Sequence, residues 1–586
     1  MNEKNVSSKL RREEFVSGLT GGTKLEIFLI NSFLCISVVI GNELKARINL
    51  LCCCSTSQHT MITPRILDLI LDFITLVVPH IFMVMSISYL AISIVILAAV
   101  TTLILDIILT RRRKNRFSRK EGLYDDAVVE MMPLNSFESS LNQSISTFRG
   151  ALMMVTCVAI LAVDFPAFPR RLAKTEHYGT AFMDLGVGIV ILAGGIVRGG
   201  KSAASASKRF ERVSKMKVSC LSVQYFFNNF ALCWALGFGR WAITVAVGYQ
   251  VHVGEYGEHW NFFNTIAVVY LFSSLLSKIE ASFSSFHGSN TKKKLNKMKD
   301  TYSWIRYLWN ESFPLSLHLV LALVMTASHQ MALTYLKLGP WVHGERSEIG
   351  SRLFPPAPSS PLNPHLYFGT LASLLSRNKE GIISSFGYVA LHLWGRTLGS
   401  CLVWGGTKEE EEKAEEKGNW EKETGGKKKE EIRCKVKSKP EGRIQSFFFS
   451  SSSPFKRIKP FLILTTTLWL AAEVAERRIE PISRRSCNMP YILWVAAQAS
   501  YNLLFIVLLE FLGDGGIFMP LKSTLLRSFN TAQLWVFLAA NLLTGIINLS
   551  FETIDISKRF SRVILVMYMA IVCTIAVVME SSGRRK

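Results

Sequence analysis

Long apolar runs recur along this chain from about residue 25 to residue 580, and nothing else in it constrains the fold as strongly. About thirteen of them are long enough to cross the hydrocarbon core of a bilayer, which takes roughly 20 helical residues. Their approximate bounds are 25–41, 66–85, 87–109, 149–166, 180–197, 219–237, 260–277, 315–335, 386–404, 459–475, 490–511, 532–550 and 563–580. Inside a bilayer every backbone N–H and C=O must be satisfied within the protein, so runs of this length fold as helices. The expected fold is an all-α polytopic integral membrane protein, with about 13 transmembrane helices in one bundle. The stretch 238–252 is apolar but short, and Gly239, Arg240 and Gly248 interrupt it, so it is expected to be interfacial or re-entrant.

Composition and charge agree with this reading. The chain of 586 residues is 49% hydrophobic and carries a net charge of +23. Its mean hydropathy of +0.26 is high for a soluble protein and ordinary for a membrane one. The basic residues cluster in short connectors, as in RRRKNR (111–116) and KKKLNKMK (292–299). That pattern orients spans, and no basic helix with interleaved aromatics points to nucleic acid. The positive-inside rule puts 110–148, 198–217 and 278–313 on the cytoplasmic side. The N-terminus is then lumenal and the C-terminus cytoplasmic. The connector 476–489 resists this scheme. It carries Arg477, Arg478, Arg484 and Arg485 yet falls on the lumenal side. Either the topology is off there, or these arginines meet lipid phosphates.

The resulting organisation is a lumenal segment (1–24), helices one to nine (25–404), a polar insertion (405–458), helices ten to thirteen (459–580) and a cytoplasmic tail (581–586). The insertion begins GGTKEEEEKAEEKG and lacks the apolar residues that bury a core, so it is expected to be disordered. The eleven cysteines show no metal-ligand spacing, and no metal site is expected. Cys52, Cys53 and Cys54 are a small apolar cluster or palmitoylation sites.

The connector between the fourth and fifth spans holds the candidate site, loop 164–184. DFPAFPRRLAKTEHYGTAFMDLGVG (164–188) places Asp164 at a membrane edge, followed by Pro166, Pro169, Arg170, Arg171, Lys174 and Glu176. Asp184 lies about one turn into the next span. Ionisable groups at membrane depth are expensive and commonly mark a site. The same topology puts Glu255 and His259, and Arg377 and Lys379, on the lumenal face with this loop. A carboxylate that can take a proton and a cation that can stabilise an oxyanion, held in a dry pocket, are the elements of acid–base and oxyanion catalysis. Asp164 suits the first role and Lys174 the second, with the prolines turning the chain back between them. An ion pair at a helix end explains both residues equally well. Arg170, Arg171, Asp184, Glu255, His259, Arg377 and Lys379 are candidate substrate contacts, each with a structural alternative as anchor, cap or packed residue. No GxSxG elbow, HExxH or HxxxxD box is present.

These residues also carry a resemblance. The 164–188 stretch, EEFVSGLTGGTKLEI (13–27), EYGEHWNFFNT (255–265), SRNKEGIISSFGY, SCNMPYILWVAAQASYNL and NLLTGIINL together resemble the Gwt1/PIG-W family over nearly the whole chain. The resemblance implies an inositol acyltransferase of glycosylphosphatidylinositol (GPI) anchor biosynthesis in the endoplasmic reticulum. It would transfer a long-chain acyl group from acyl-CoA, a co-substrate, to glucosaminyl-phosphatidylinositol. It implies no cofactor and no obligate protein partner, and it maps the family's essential acid and lysine onto Asp164 and Lys174. Two other readings stand beside it. A secondary transporter also has broken helices and intramembrane acids, although no internal repeat pairs the two halves. A non-catalytic family member is the third, against which the motif residues are present.

Overall fold

The computed structural model describes residues 11, 14–53, 63–86, 134–209, 221–247, 253–295, 313–344, 374–423, 454–514 and 522–583. Fourteen helices of eight residues or more carry the described chain. They are α1 (Lys24–Cys53), α2 (Thr63–Asp72), α3 (Val78–Ser86), α4 (Leu134–Ala162), α5 (Leu185–Arg209), α6 (Leu221–Val247), α7 (Phe262–Leu295), α8 (Phe313–Tyr335), α9 (Lys379–Glu423), α10 (Pro454–Arg478), α11 (Met489–Asp514), α12 (Thr524–Thr531), α13 (Gln533–Ser550) and α14 (Lys558–Gly583). A π-helical turn, Phe73–Val77, joins α2 to α3. The described residues contain no β-strand, only an isolated bridge between Gly21 and Thr180. Eleven described helical stretches are long and apolar enough to cross a membrane. The protein is an all-α polytopic membrane protein.

Three sequence expectations read differently here. Residues 238–247 are not separate from the span before them: α6 runs unbroken from Leu221 to Val247, and its apolar window is Phe230–Val247, while 248–252 lie outside the described residues. Glycine does not break a helix whose hydrogen bonds face no competing water, and Gly237 has a packing reason. A Cβ there would overlap Asn264 Oδ1 on α7, and Asn261 Nδ2 donates to Gly237 O at 2.7 Å. Residues 386–404 are helical within α9 but fall outside the eleven apolar windows. Every residue from Gly387 to Leu402 is buried, so their polar groups face protein rather than lipid. Finally, α9 continues to Glu423, into the polar insertion. The strand of sequence 424–453 and the predicted span 87–109 lie outside the described residues.

The chain divides into two compact units. The first comprises 1–190, 481–484 and 498–586. Here α4 packs against α12 and α13, and α14 against α3, α12 and α13. Gly150 of α4 sits so close to the Leu526 carbonyl of α12 that a side chain would overlap it. The intramembrane acid Asp72 is a helix cap in this unit. It pairs with Lys45, and its Oδ2 accepts from Ser523 Oγ at 3.0 Å and Leu525 N at 3.2 Å. Those donors belong to the start of α12, where an anion satisfies unpaired N–H groups and meets the helix dipole.

The second unit comprises 191–480 and 485–497. Its helices pair as α6 with α7, α8 with α9, α9 with α10 and α7 with α9. Two GxxxG motifs meet face to face, Gly195 and Gly199 of α5 against Gly395 and Gly399 of α9. A Cβ on any of the four would overlap a backbone carbonyl of the opposite helix. Small residues allow such close crossings in membranes, where dispersion and polar contacts drive helix association. Beside the crossing, His392 Nε2 and Arg198 Nη1 both reach Ser273 Oγ, at 2.9 and 2.6 Å.

Candidate functional site

The loop after α4 is built by prolines, buried aromatics and one arginine. The last turn of α4 tightens, with Asp164 N donating to Leu161 O and Phe165 N to Ala162 O, both at 3.2 Å. Pro166 and Pro169 then supply no N–H to continue the helix. Phe165 and Phe168 are buried and anchor the turn. Arg170 folds back onto it: Nη2 donates to Val163 O at 2.8 Å and Phe165 O at 3.1 Å, and Nε to Phe168 O at 3.2 Å. Its guanidinium also stacks 4.0 Å from the Phe15 ring centroid. Burial lowers the Arg170 pKa to about 10, partly offset by the charge of Asp164. Arg170 therefore caps the carbonyl end of α4 and brings positive charge beside Asp164.

Three clamps hold the rest of the loop. Arg171 forms a fork with Glu26 of α1, through Nε at 3.1 and 3.0 Å and Nη2 at 2.8 Å. Asp184 receives Arg484 Nε at 2.9 Å, Thr175 Oγ1 at 2.9 Å and Thr175 N at 3.2 Å. The N-terminal GLTGG segment runs alongside, Gly18 N donating to Glu176 Oε2 at 2.6 Å and Gly22 N to Thr180 O at 2.8 Å. Gly21 (φ +87°) and Gly179 (φ +125°) hold left-handed backbone at this contact, and a side chain at either would strike the opposing carbonyl. Gly179 N also donates to Ile482 O at 2.8 Å, and Ser483 Oγ to His177 O at 2.6 Å.

Within this scaffold Asp164 is half-buried and its Oδ2 accepts from Asn548 Nδ2 of α13 at 2.8 Å. One turn back along α13, Thr544 meets Tyr568 of α14, whose hydroxyl reaches Cys157 O and Ala540 O at 3.2 Å each. Lys174 is half-buried, between buried Ala173 and Thr175. The loop thus presents a carboxylate, an ammonium and a capping guanidinium on one braced segment.

In the second unit the segments that carry His259 and Arg377 meet, with Glu258 N donating to Arg377 O at 3.1 Å. Asn378 Oδ1 accepts from His259 N at 2.8 Å and Trp260 N at 3.0 Å. Arg377 pairs at 3.6 Å with Glu258, three residues after Glu255, near the surface. The His259 ring lies tilted against Trp241, 5.6 Å centroid to centroid. Lys379 is 1% exposed and donates to Trp341 O at 2.7 Å and Gly344 O at 2.6 Å, closing the carbonyl end of the short helix Leu338–His343. Arg485 pairs with buried Glu380 at 2.9 Å. The arginines that seemed to break the charge rule therefore split: Arg484 and Arg485 sit in buried ion pairs, not at lipid phosphates, while exposed Arg477 lies 3.3 Å from Glu473.

The sequence profile of the GWT1 family matches residues 8–292 and 301–579. The chain belongs to the GWT1 family. It is 28% identical to "GPI-anchored wall transfer protein 1" of Aspergillus oryzae, over 98% of each chain. Its identity to the protein of that name from Emericella nidulans is 30%, over 97% of this chain and 96% of the other. A human relative, named "Glucosaminyl-phosphatidylinositol-acyltransferase PIGW", is 28% identical over 98% of each chain. Against this GWT1-family background, sequence reasoning missed Glu26 and Asn548 as partners of the loop, and Thr175 as the partner of Asp184 within it. Glu26 sat inside the N-terminal motif, but its partner Arg171 lies 145 residues on. Asn548 sat inside the NLLTGIINL motif within an apolar span, and its partner Asp164 lies 384 residues before it.

Proposed function

We propose that the chain is an acyltransferase of GPI-anchor biosynthesis, acting on the inositol hydroxyl of glucosaminyl-phosphatidylinositol with a long-chain acyl-CoA as donor. One observation carries this reading: a human family relative bearing that activity in its name aligns over 98% of this chain. The family match also disfavours a transporter.

In the proposed reaction Asp164 takes the proton of the inositol hydroxyl as its oxygen attacks the thioester carbon. The carbonyl oxygen becomes an oxyanion, and the Lys174 ammonium stabilises it. Collapse of the tetrahedral intermediate breaks the carbon–sulfur bond and releases the CoA thiolate, which takes up the proton held by Asp164. Asn548 orients the carboxylate, and Arg170 holds the turn from which it projects. Both substrates are amphiphiles, which suits a site at a membrane face. By charge bias that face is the lumenal side, with the N-terminus lumenal and the C-terminus cytoplasmic, and the family resemblance implies the endoplasmic reticulum membrane.

The test is direct. Membranes from cells lacking their own enzyme and expressing this chain are incubated with labelled palmitoyl-CoA and glucosaminyl-phosphatidylinositol. An inositol-acylated product is expected. Its absence, with the protein correctly inserted, would overturn the reading.

A further inference from the structure

His80 of α3 is 1% exposed, and among the described residues neither of its ring nitrogens has a hydrogen-bond partner. A neutral imidazole carries one donor and one acceptor. Leaving both unmet in a buried site is costly, and an apolar side chain of similar size would be more stable there. The backbone before it is irregular as well. In the π-helical turn Phe73–Val77, Val78 N donates to Phe73 O, and Pro79 then supplies no N–H. Such turns occur frequently at functional sites, and this one sets the direction in which α3 presents His80. The His80 ring lies 6.3 Å, centroid to centroid, from Phe182, in the short turn Phe182–Asp184 that closes the braced loop. α3 packs on α1, α4 and α14, the helices that bear Glu26, lead into Asp164 and carry Tyr568. Its neighbours in sequence, Val77, Ile81 and Val84, are fully buried and apolar.

We propose that His80 hydrogen-bonds the thioester carbonyl of the acyl donor, in an acyl-chain site between α3 and the Phe182 turn. This rests on the acyl-donor reading above. A single polar group in apolar surroundings matches a ligand with a single polar group on an apolar chain. An inositol ring, with a hydroxyl on nearly every carbon, needs several partners and does not fit such surroundings. At 1% exposure the site is closed as it stands.

The experiment separates the carbonyl from the rest of the donor. Equilibrium binding of palmitoyl-CoA and of S-hexadecyl-CoA, a thioether without the carbonyl, is measured on purified full-length protein, wild type and His80→Leu. One net hydrogen bond corresponds to roughly a threefold to tenfold preference. Wild type is expected to prefer palmitoyl-CoA by about that factor, and His80→Leu to lose the preference while unfolding at the same or a higher temperature. His80→Gln is expected to restore part of it. A wild type that binds both probes equally, or a preference unchanged in His80→Leu, overturns the assignment and leaves the acyltransferase reading standing. A wild type that binds neither probe removes the acyl-CoA reading itself, and the assignment with it.

Discussion

Asn548 Nδ2 lies 2.8 Å from Asp164 Oδ2, joining α13 to the end of α4 across 384 residues of sequence. If Asp164 is the base, this bond sets the direction of its free lone pairs. Asn548→Leu should then lower turnover by about tenfold or more, the scale on which misplacing a catalytic group acts. Asn548→Asp should do worse, because two carboxylates at hydrogen-bond distance cannot both ionise and Asp164 would hold a proton. Specific activity per folded protein, compared across both variants, checks this.

Asp164→Asn and Lys174→Ala should each cut turnover by at least about a hundredfold with near-normal abundance. Their effects should be strongly non-additive, as for groups that act as one unit. A structural ion pair behaves otherwise: abundance falls, and swapping the two charges restores part of it. The measurement is specific activity in the two singles, the double and the swap.

The Asp184–Arg484 pair should act on stability rather than chemistry. Its side chains are 1% and 5% exposed, so removing either partner leaves a buried charge uncompensated. Arg484→Met should cost about 3–5 kcal/mol, and the double variant with Asp184→Asn less than that single. Thermal unfolding in detergent distinguishes these outcomes.

The α5–α9 crossing tolerates no side chain. Gly399→Val should destabilise by about 1–3 kcal/mol, because the added carbons overlap the Ile196 carbonyl. Gly194→Ala is the control, since a Cβ there meets nothing within 4 Å. Detergent unfolding temperatures should fall for the first and stay level for the second.

Topology is the fifth test. Single cysteines at His177 and Glu258 should be labelled from the lumenal side, and cysteines within 210–217 from the cytoplasmic side. Labelling of position 177 and of 210–217 from the same side would sink the orientation that charge bias implies.

Hydropathy alone determined the fold class and most of the spans, because a bilayer admits only structures that satisfy their own backbone, and helices announce themselves by length. The candidate loop was legible for the same reason: charges and prolines between two spans stand out against apolar sequence. Tertiary structure decided what each of those charges does. Arg170 is a cap, Arg171 and Asp184 are clamped by Glu26 and Arg484, and Lys379 closes a helix end. None of these partnerships follows from spacing, since Glu26 is 145 residues from Arg171 and Arg484 is 300 from Asp184. The sequence misread 238–247 because Gly239 and Arg240 look like breakers when solvent is assumed, yet in α6 the helix ladder holds through them. An ion pair's energy depends on distance and on exclusion of water, and both are set only when remote helices pack.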